Sequence, residues 1–218
     1  MLRSVIEKSN DPVEIEQRLS PERLQTYRIA SRGKLDVALE LYKWNIALSG
    51  ALFESSAIVE VVVRNEIDGK LTLWARKFSQ DWLDDLPLDQ KGKSDILKAR
   101  SRGTSGSPHG KVIAELNFGF WRFLVANRYL HNLWIPILQE CFPHLDGQVG
   151  IRREIVEHYL QKLWFLRNRI GHHEPIFDRN IREDLSAIDS LLGWISPDVR
   201  NWTLGQRRVE SILLARPI

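Results

Sequence analysis

Apolar residues recur at steps of three and four along most of the chain, which predicts helices nearly throughout. Ser20-Pro21-Glu22-Arg23 reads as a helix start, with serine at the N-cap and proline in the first turn. From Asp36 a long pattern carries Leu39, Tyr42, Ile46, Leu52, Phe53, Ala57, Ile58 and Val61 onward to Leu73 and Trp74, with Ser49-Gly50 as a place for a kink or interruption. Val59-Glu60-Val61-Val62-Val63 has strand propensity. Its place inside the longer helical period, with Glu60 four residues before Arg64, favours helix and an intrahelical ion pair.

The character changes between Asp81 and Pro108. Asp84-Asp85-Leu86-Pro87 breaks the pattern, Leu88 to Ala99 reads as a short basic helix, and Ser101 to Ser107 as a flexible loop. Ser107-Pro108 opens a further helix carrying Val112, Ile113, Leu116, Phe118, Phe120, Trp121 and Leu124, with Gly119 where another helix can approach closely or a bend can form. Pro136 interrupts the apolar piece from Leu133 to Leu138. Ile151 to Ile170 is the clearest amphipathic helix, Arg179 to Trp194 follows, and a last helix spans about Val199 to Leu214. With no internal repeat, the expectation is an all-α helical bundle forming one domain over 1–218, with 81–107 as a possible basic insertion and 198–218 as a C-terminal helix.

Composition narrows this modestly. A chain of 218 residues, 43% hydrophobic and 27% charged, can bury a real core. Its eight Trp and eight Phe suit a core of rigid aromatic anchors, to which Trp121, Trp134 and Trp164 are assigned. One cysteine, Cys141, leaves no internal disulfide framework and lacks the electropositive setting of a nucleophile. Met1 to Asn10 does not resemble a signal peptide, and no run reaches about 18 uncharged apolar residues. The expected address is cytoplasmic, with no membrane partner. A net charge of +3 with a pI near 9.1 hints at an anionic partner. Lys91, Lys93, Lys98, Arg100 and Arg102 form the densest basic patch and are candidate phosphate contacts, although a flexible solvated loop is the plainer reading.

Leu166-Arg167-Asn168-Arg169-Ile170-Gly171-His172-His173-Glu174-Pro175 concentrates the chemistry. Arg followed by His five residues on is weak alone, since chance supplies on the order of one such pair in a chain this rich in Arg. Arg153 and His158 match it too, and in mid-helix they read as solvated-face residues. Arg167 differs, because Val156, Leu160, Leu163 and Arg167 fall on one stripe, where a guanidinium must be paired or must line a cleft. Gly171 is expected to end the helix and free His172 from helical geometry, and Pro175 to fix the turn beyond it.

Residues 166–177 resemble the Abi-like (abortive infection) family of the HEPN superfamily, whose signature is Arg, a polar residue and then His. Tyr42-Lys43-Trp44-Asn45 through Glu60 to Asn65 looks like that family's first long helices, and Glu115-Leu116-Asn117-Phe118-Gly119-Phe120-Trp121 like its central motif. The likeness covers a core of about 36–195. It implies a HEPN-type helical bundle with long central helices that cleaves RNA without a metal or cofactor. Arg167 and His172 match the catalytic pair and Asn168 the polar residue beside it, with His173, Glu174, Glu60, Arg64 and Asn65 as possible support.

The side chains suit that chemistry. Imidazole can take the proton of a ribose 2′-OH or give one to the leaving 5′-oxygen, and a guanidinium can hold the phosphate as charge builds on it. The resemblance further implies a homodimer with both His172 residues facing one cleft, RNA as substrate, and a setting in phage defence or as a toxin with a protein or RNA antitoxin. The alternative is a non-catalytic RNA-binding or partner-regulated protein of the same fold. The alternative for Glu174 is a pairing with Arg169. A metal site from His172, His173 and Glu174 is disfavoured because adjacent side chains point apart.

Overall fold

The computed structural model describes residues 11–78, 81–102 and 108–218, which are helical with no strand among them. Met1 to Asn10 and residues 103–107 of the predicted loop lie outside the described residues. The α-helices are α1 (Pro12–Leu19), α2 (Pro21–Ala30), α3 (Leu35–Arg76), α4 (Trp82–Asp85), α5 (Gln90–Arg102), α6 (His109–Glu115), α7 (Phe118–Leu124), α8 (Val149–Gly171), α9 (Ile181–Ile195), α10 (Pro197–Gln206) and α11 (Val209–Leu214). Between α7 and α8 the chain makes 3₁₀ and π turns around Pro136 rather than a regular helix.

The long pattern from Asp36 becomes one helix of 42 residues that passes Ser49-Gly50 without a break. It is the axis of the bundle, and α1, α2, α7, α8, α9 and α11 all pack on it. Leu41, Leu48, Leu52, Val59, Val63, Ile67 and Leu71 are fully buried along it. By length and composition α3 is also apolar enough to cross a membrane. The segment from 81 onward joins the same core through Trp82, Leu83, Leu86, Leu88, Ile96 and Ala99.

Ser20 caps α2 as expected, its Oγ accepting from the Arg23 N–H at 3.2 Å. Two predicted helices are each divided. The Asn117 side chain accepts from the Phe120 N–H at 3.0 Å and starts a new helix in mid-pattern, after an extended Leu116. In the C-terminal stretch Arg207 is extended between α10 and α11, where its guanidinium meets Asp189 at 2.8 Å and Glu210 at 2.6 Å. The short α11 is tied to α3 by Trp44, whose Nε1 donates to the Ile212 carbonyl at 2.6 Å.

Arg153 is buried rather than solvated. Its guanidinium donates to the Val125 carbonyl at 3.1 Å and to the Glu157 carboxylate, so it fastens α8 to the end of α7. Helical spacing alone does not reveal this, because the partner carbonyl is 28 residues away. Trp121 and Trp134 are fully buried, whereas Trp164 is only partly so and lies across Gly119.

A Cβ at Gly119 would sit 3.2 Å from Trp164 Nε1 and 3.0 Å from Asn117 Oδ1. The close approach expected at this glycine is therefore made by the Trp164 ring of α8. Gly119→Val should destabilise the chain by about 1–3 kcal/mol through overpacking. A urea titration checks this, and an unchanged midpoint would mean that Trp164 can move aside at no cost.

Candidate functional site at the end of α8

The last turn of α8 and the turn that follows are held from several directions. The helix closes with the Glu174 N–H donating to the Arg169 carbonyl at 2.8 Å and the His173 N–H to the Ile170 carbonyl at 3.0 Å. This is the Schellman arrangement, and His173 occupies its left-handed position at φ 55°. Gly171 is the last residue of the helix, as expected from sequence, and it is His173, two residues on, that takes the left-handed conformation. The turn beyond is pinned by three side chains. Arg23 donates to the His173 carbonyl at 2.6 Å, Arg169 to the Pro175 carbonyl at 2.6 Å, and the buried Asn45 of α3 accepts from the Ile176 N–H at 2.8 Å. Arg179 then clamps the fully buried Asp184 through two bonds of 3.0 and 2.8 Å, fixing the start of α9.

His172 stays close to helical geometry, with φ −92°, ψ 8° and its N–H bonded to the Asn168 carbonyl. At about 100° per residue, Asn168 and His172 lie within about 40° of each other, while Arg167 and His172 are separated by about 140°. Arg167 and His172 therefore flank Asn168 instead of sharing a face. The buried stripe of α8 continues through Leu166 and Ile170, and Arg167 lies at its edge with its side chain 41% exposed. His172 is exposed and has no carboxylate within 4.0 Å among the described residues. The two Arg of this turn put positive charge at a helix end that carries partial negative charge.

Glu60 reaches this turn from α3. Its Oε2 is 3.8 Å from Arg167 Nε, and the ion pair expected with Arg64 is not formed. Arg64 instead donates to Asn65 Oδ1 at 3.2 Å. Burial raises the Glu60 carboxyl above the ordinary range, with Arg167 and Arg64 opposing the shift. Arg167 Nε, though buried, makes no hydrogen bond. Glu174 lies 3.6 Å from Arg169, the pairing that the sequence left open. On the concave side a cavity of about 520 Å³ is lined by Tyr27, Tyr42, Ile46, Phe53, Ile170 and His173. Burial pushes the Tyr27 hydroxyl up to about 12.

The basic patch is partly committed. Lys91 meets Asp95 at 2.7 Å, Arg100 meets Asp84 at 2.6 Å and Arg102 lies 3.9 Å from Glu115, whereas Lys93 and Lys98 are exposed. The Arg100 guanidinium holds the Asp84 carboxyl below its usual range. Cys141 is wholly buried, and burial pushes its thiol up. No group of three or more metal-ligating side chains occurs among the described residues.

Sequence reasoning missed a second histidine contact. His109 Nε2 is 2.7 Å from Asp68 Oδ1, which also accepts from Trp82 Nε1 at 2.9 Å. It braces α6 and α4 on α3, and a separation of 41 residues leaves no local signal. Another cavity, of about 870 Å³ among α9, α10 and α11, is lined by none of the residues of the α8 turn. No family model matches the chain, and neither a curated protein nor a solved structure matches it.

Glu60 holds its proton more tightly in the folded chain than in the unfolded one. Its contribution to stability is therefore fullest below the ordinary carboxylate pKa and declines as pH rises through the raised folded value. Glu60→Gln keeps the shape and removes the decline. Urea titrations across the acid to neutral range should show the variant gaining on the wild type as pH rises and then levelling off. A gain in the opposite direction would mean that pairing with Arg167 outweighs the burial of Glu60.

Proposed function

We propose that the chain is a metal-independent endoribonuclease of the HEPN type, acting in abortive infection or as a toxin. The observation that carries this is the end of α8, where Arg167 and His172 flank Asn168 on an open surface and Glu60 lies against Arg167. His172, exposed and free of a carboxylate, is available to move a proton. Arg167 can bind a phosphate oxygen, and its contact with Glu60 at 3.8 Å is too long to occupy its donors. The reaction is attack of the ribose 2′-OH on the adjacent phosphorus. The proton leaves the 2′-oxygen, the bond to the 5′-oxygen breaks, and that oxygen takes up a proton. The products are a 2′,3′-cyclic phosphate and a 5′-hydroxyl, and no metal is required.

Two acid–base groups serve this reaction better than one, and one chain offers a single His172. A homodimer supplies the second. Ile46 and Phe53, which are 53% and 46% exposed, recur with Glu60 at seven-residue steps on α3. That spacing aligns two uncovered apolar side chains with the Arg167 end of the site, as a helix seam between two copies requires.

Purified protein should cut labelled total RNA in EDTA and leave cyclic-phosphate ends, with His172→Ala and Arg167→Ala each slower by about 10²–10⁴-fold while remaining folded. Inert wild type that still binds RNA tightly points to the binding-protein alternative, and cutting that persists in both variants moves the active site elsewhere. Phe53→Glu should turn a dimer into a monomer in sedimentation velocity and reduce cleavage at least about tenfold. A monomeric wild type that cleaves at full rate rules out the paired site.

A further inference from the structure

One guanidinium near the α8 site is held in place yet has no anion. Arg122, on α7, lies 4.3 Å from the centre of the Phe123 ring and 4.9 Å from the Trp164 ring. Among the described residues no carboxylate comes within 4.0 Å of it, and its buried Nε makes no hydrogen bond. Glu157 acts on it electrostatically, but that carboxylate is already taken by Arg153. Lys91 and Arg128 lie over the same Phe123 ring at 4.8 and 5.3 Å, so three cations surround one aromatic side chain. Lys91 is paired with Asp95 and Arg128 with Asp89, which leaves Arg122 as the uncompensated charge.

Its position is set by the Trp164 ring, and Trp164 precedes Arg167 and Asn168 by three and four residues on α8. Those two side chains lie within about 60° of Trp164 around the helix and about 5–6 Å along it. A stacked guanidinium loses little side-chain freedom on binding a phosphate, and its fork of N–H groups matches phosphate oxygens.

We infer that Arg122 is a second phosphate-binding residue, which holds the backbone of the RNA strand one or two nucleotides from the phosphate at Arg167. This rests on the ribonuclease proposal above. Gly119 belongs to the same device, since it admits the Trp164 ring on which Arg122 lies. Arg122 is here a binding residue, not a catalytic one, and its loss acts on affinity more than on the chemical step.

The test is fluorescence anisotropy with a short 5′-fluorescein single-stranded RNA whose riboses are 2′-O-methylated, so that it cannot be cut. Arg122→Gln should weaken binding about tenfold and reduce the slope of log affinity against log salt by about 0.7, the release from one phosphate. Arg122→Lys, which keeps the charge and loses the planar stack, should fall between. Arg18→Gln, on α1, should change affinity less than twofold. Near-UV circular dichroism checks the aromatic packing, and if Arg122→Gln is unfolded, Arg122→Lys decides. Wild-type affinity and salt slope in the folded variant overturn the assignment, and cleavage that still depends on His172 would then leave the ribonuclease proposal standing. Wild type that binds no RNA overturns both. Wild type that prefers polyglutamate to RNA also overturns it, assigning the surface to an acidic protein.

Discussion

A helix of 42 residues, about 63 Å long, carries more apolar surface than any one neighbour can cover. Burial of α3 therefore fixes the architecture, because shorter helices must pack along its whole length to remove that surface from water. Among the buried polar residues on it, Asn45, Ser55 and Ser56, the first is informative. Asn45 is buried among apolar side chains, and its Oδ1 accepts from the Ile176 N–H. An unpaired N–H there would cost about 1–3 kcal/mol, so the bond ties the turn after α8 to one level of α3. Arg23 and Arg169 hold neighbouring carbonyls of the same turn. The candidate site owes its position to this clamp and not to a rigid loop of its own.

Much of the fold was legible because it depends on local rules. The 3.6-residue period survives over α3 and α8, where one face is buried for many turns, and Val59 to Val63 follows it despite its strand propensity. Boundaries failed where a polar residue inside an apolar pattern took a second role. Asn117 caps a helix that the apolar spacing carried straight through it, and Arg207 trades helical continuity for two carboxylates. Arg153 shows the same limit for burial, since helical position says nothing about a carbonyl supplied by another element.

The site was legible in its residues more than in its geometry. The short segment around Arg167 and His172 does end a helix and enter a fixed turn, but the means differ. His172 keeps near-helical geometry, where Gly171 was expected to free it, and His173 takes the left-handed conformation, which costs a non-glycine residue about 1 kcal/mol. Glu60 could be named from sequence but was assigned the wrong partner. Spacing of four residues pointed to Arg64, whereas the packing of α8 on α3 brings Arg167 within 3.8 Å. Arg122 carried no signal at all, because its setting is made by rings from α7 and α8 that sequence distance conceals.

These separations bear on how such a site can work. Since His172 keeps helical register, a phosphate lying over Asn168 meets Arg167 from one side and His172 from the other. The long Arg side chain can span that angle, whereas the shorter imidazole must have the substrate brought to it. A strand that is held only at Arg167 can pivot about that one contact. A second hold on the backbone removes the pivot, and alignment of reacting groups is among the largest sources of rate that a protein can provide. In the proposed ribonuclease, fixed cations on packed helices would then present a flexible polymer to the two His172 side chains of a dimer without a closed pocket.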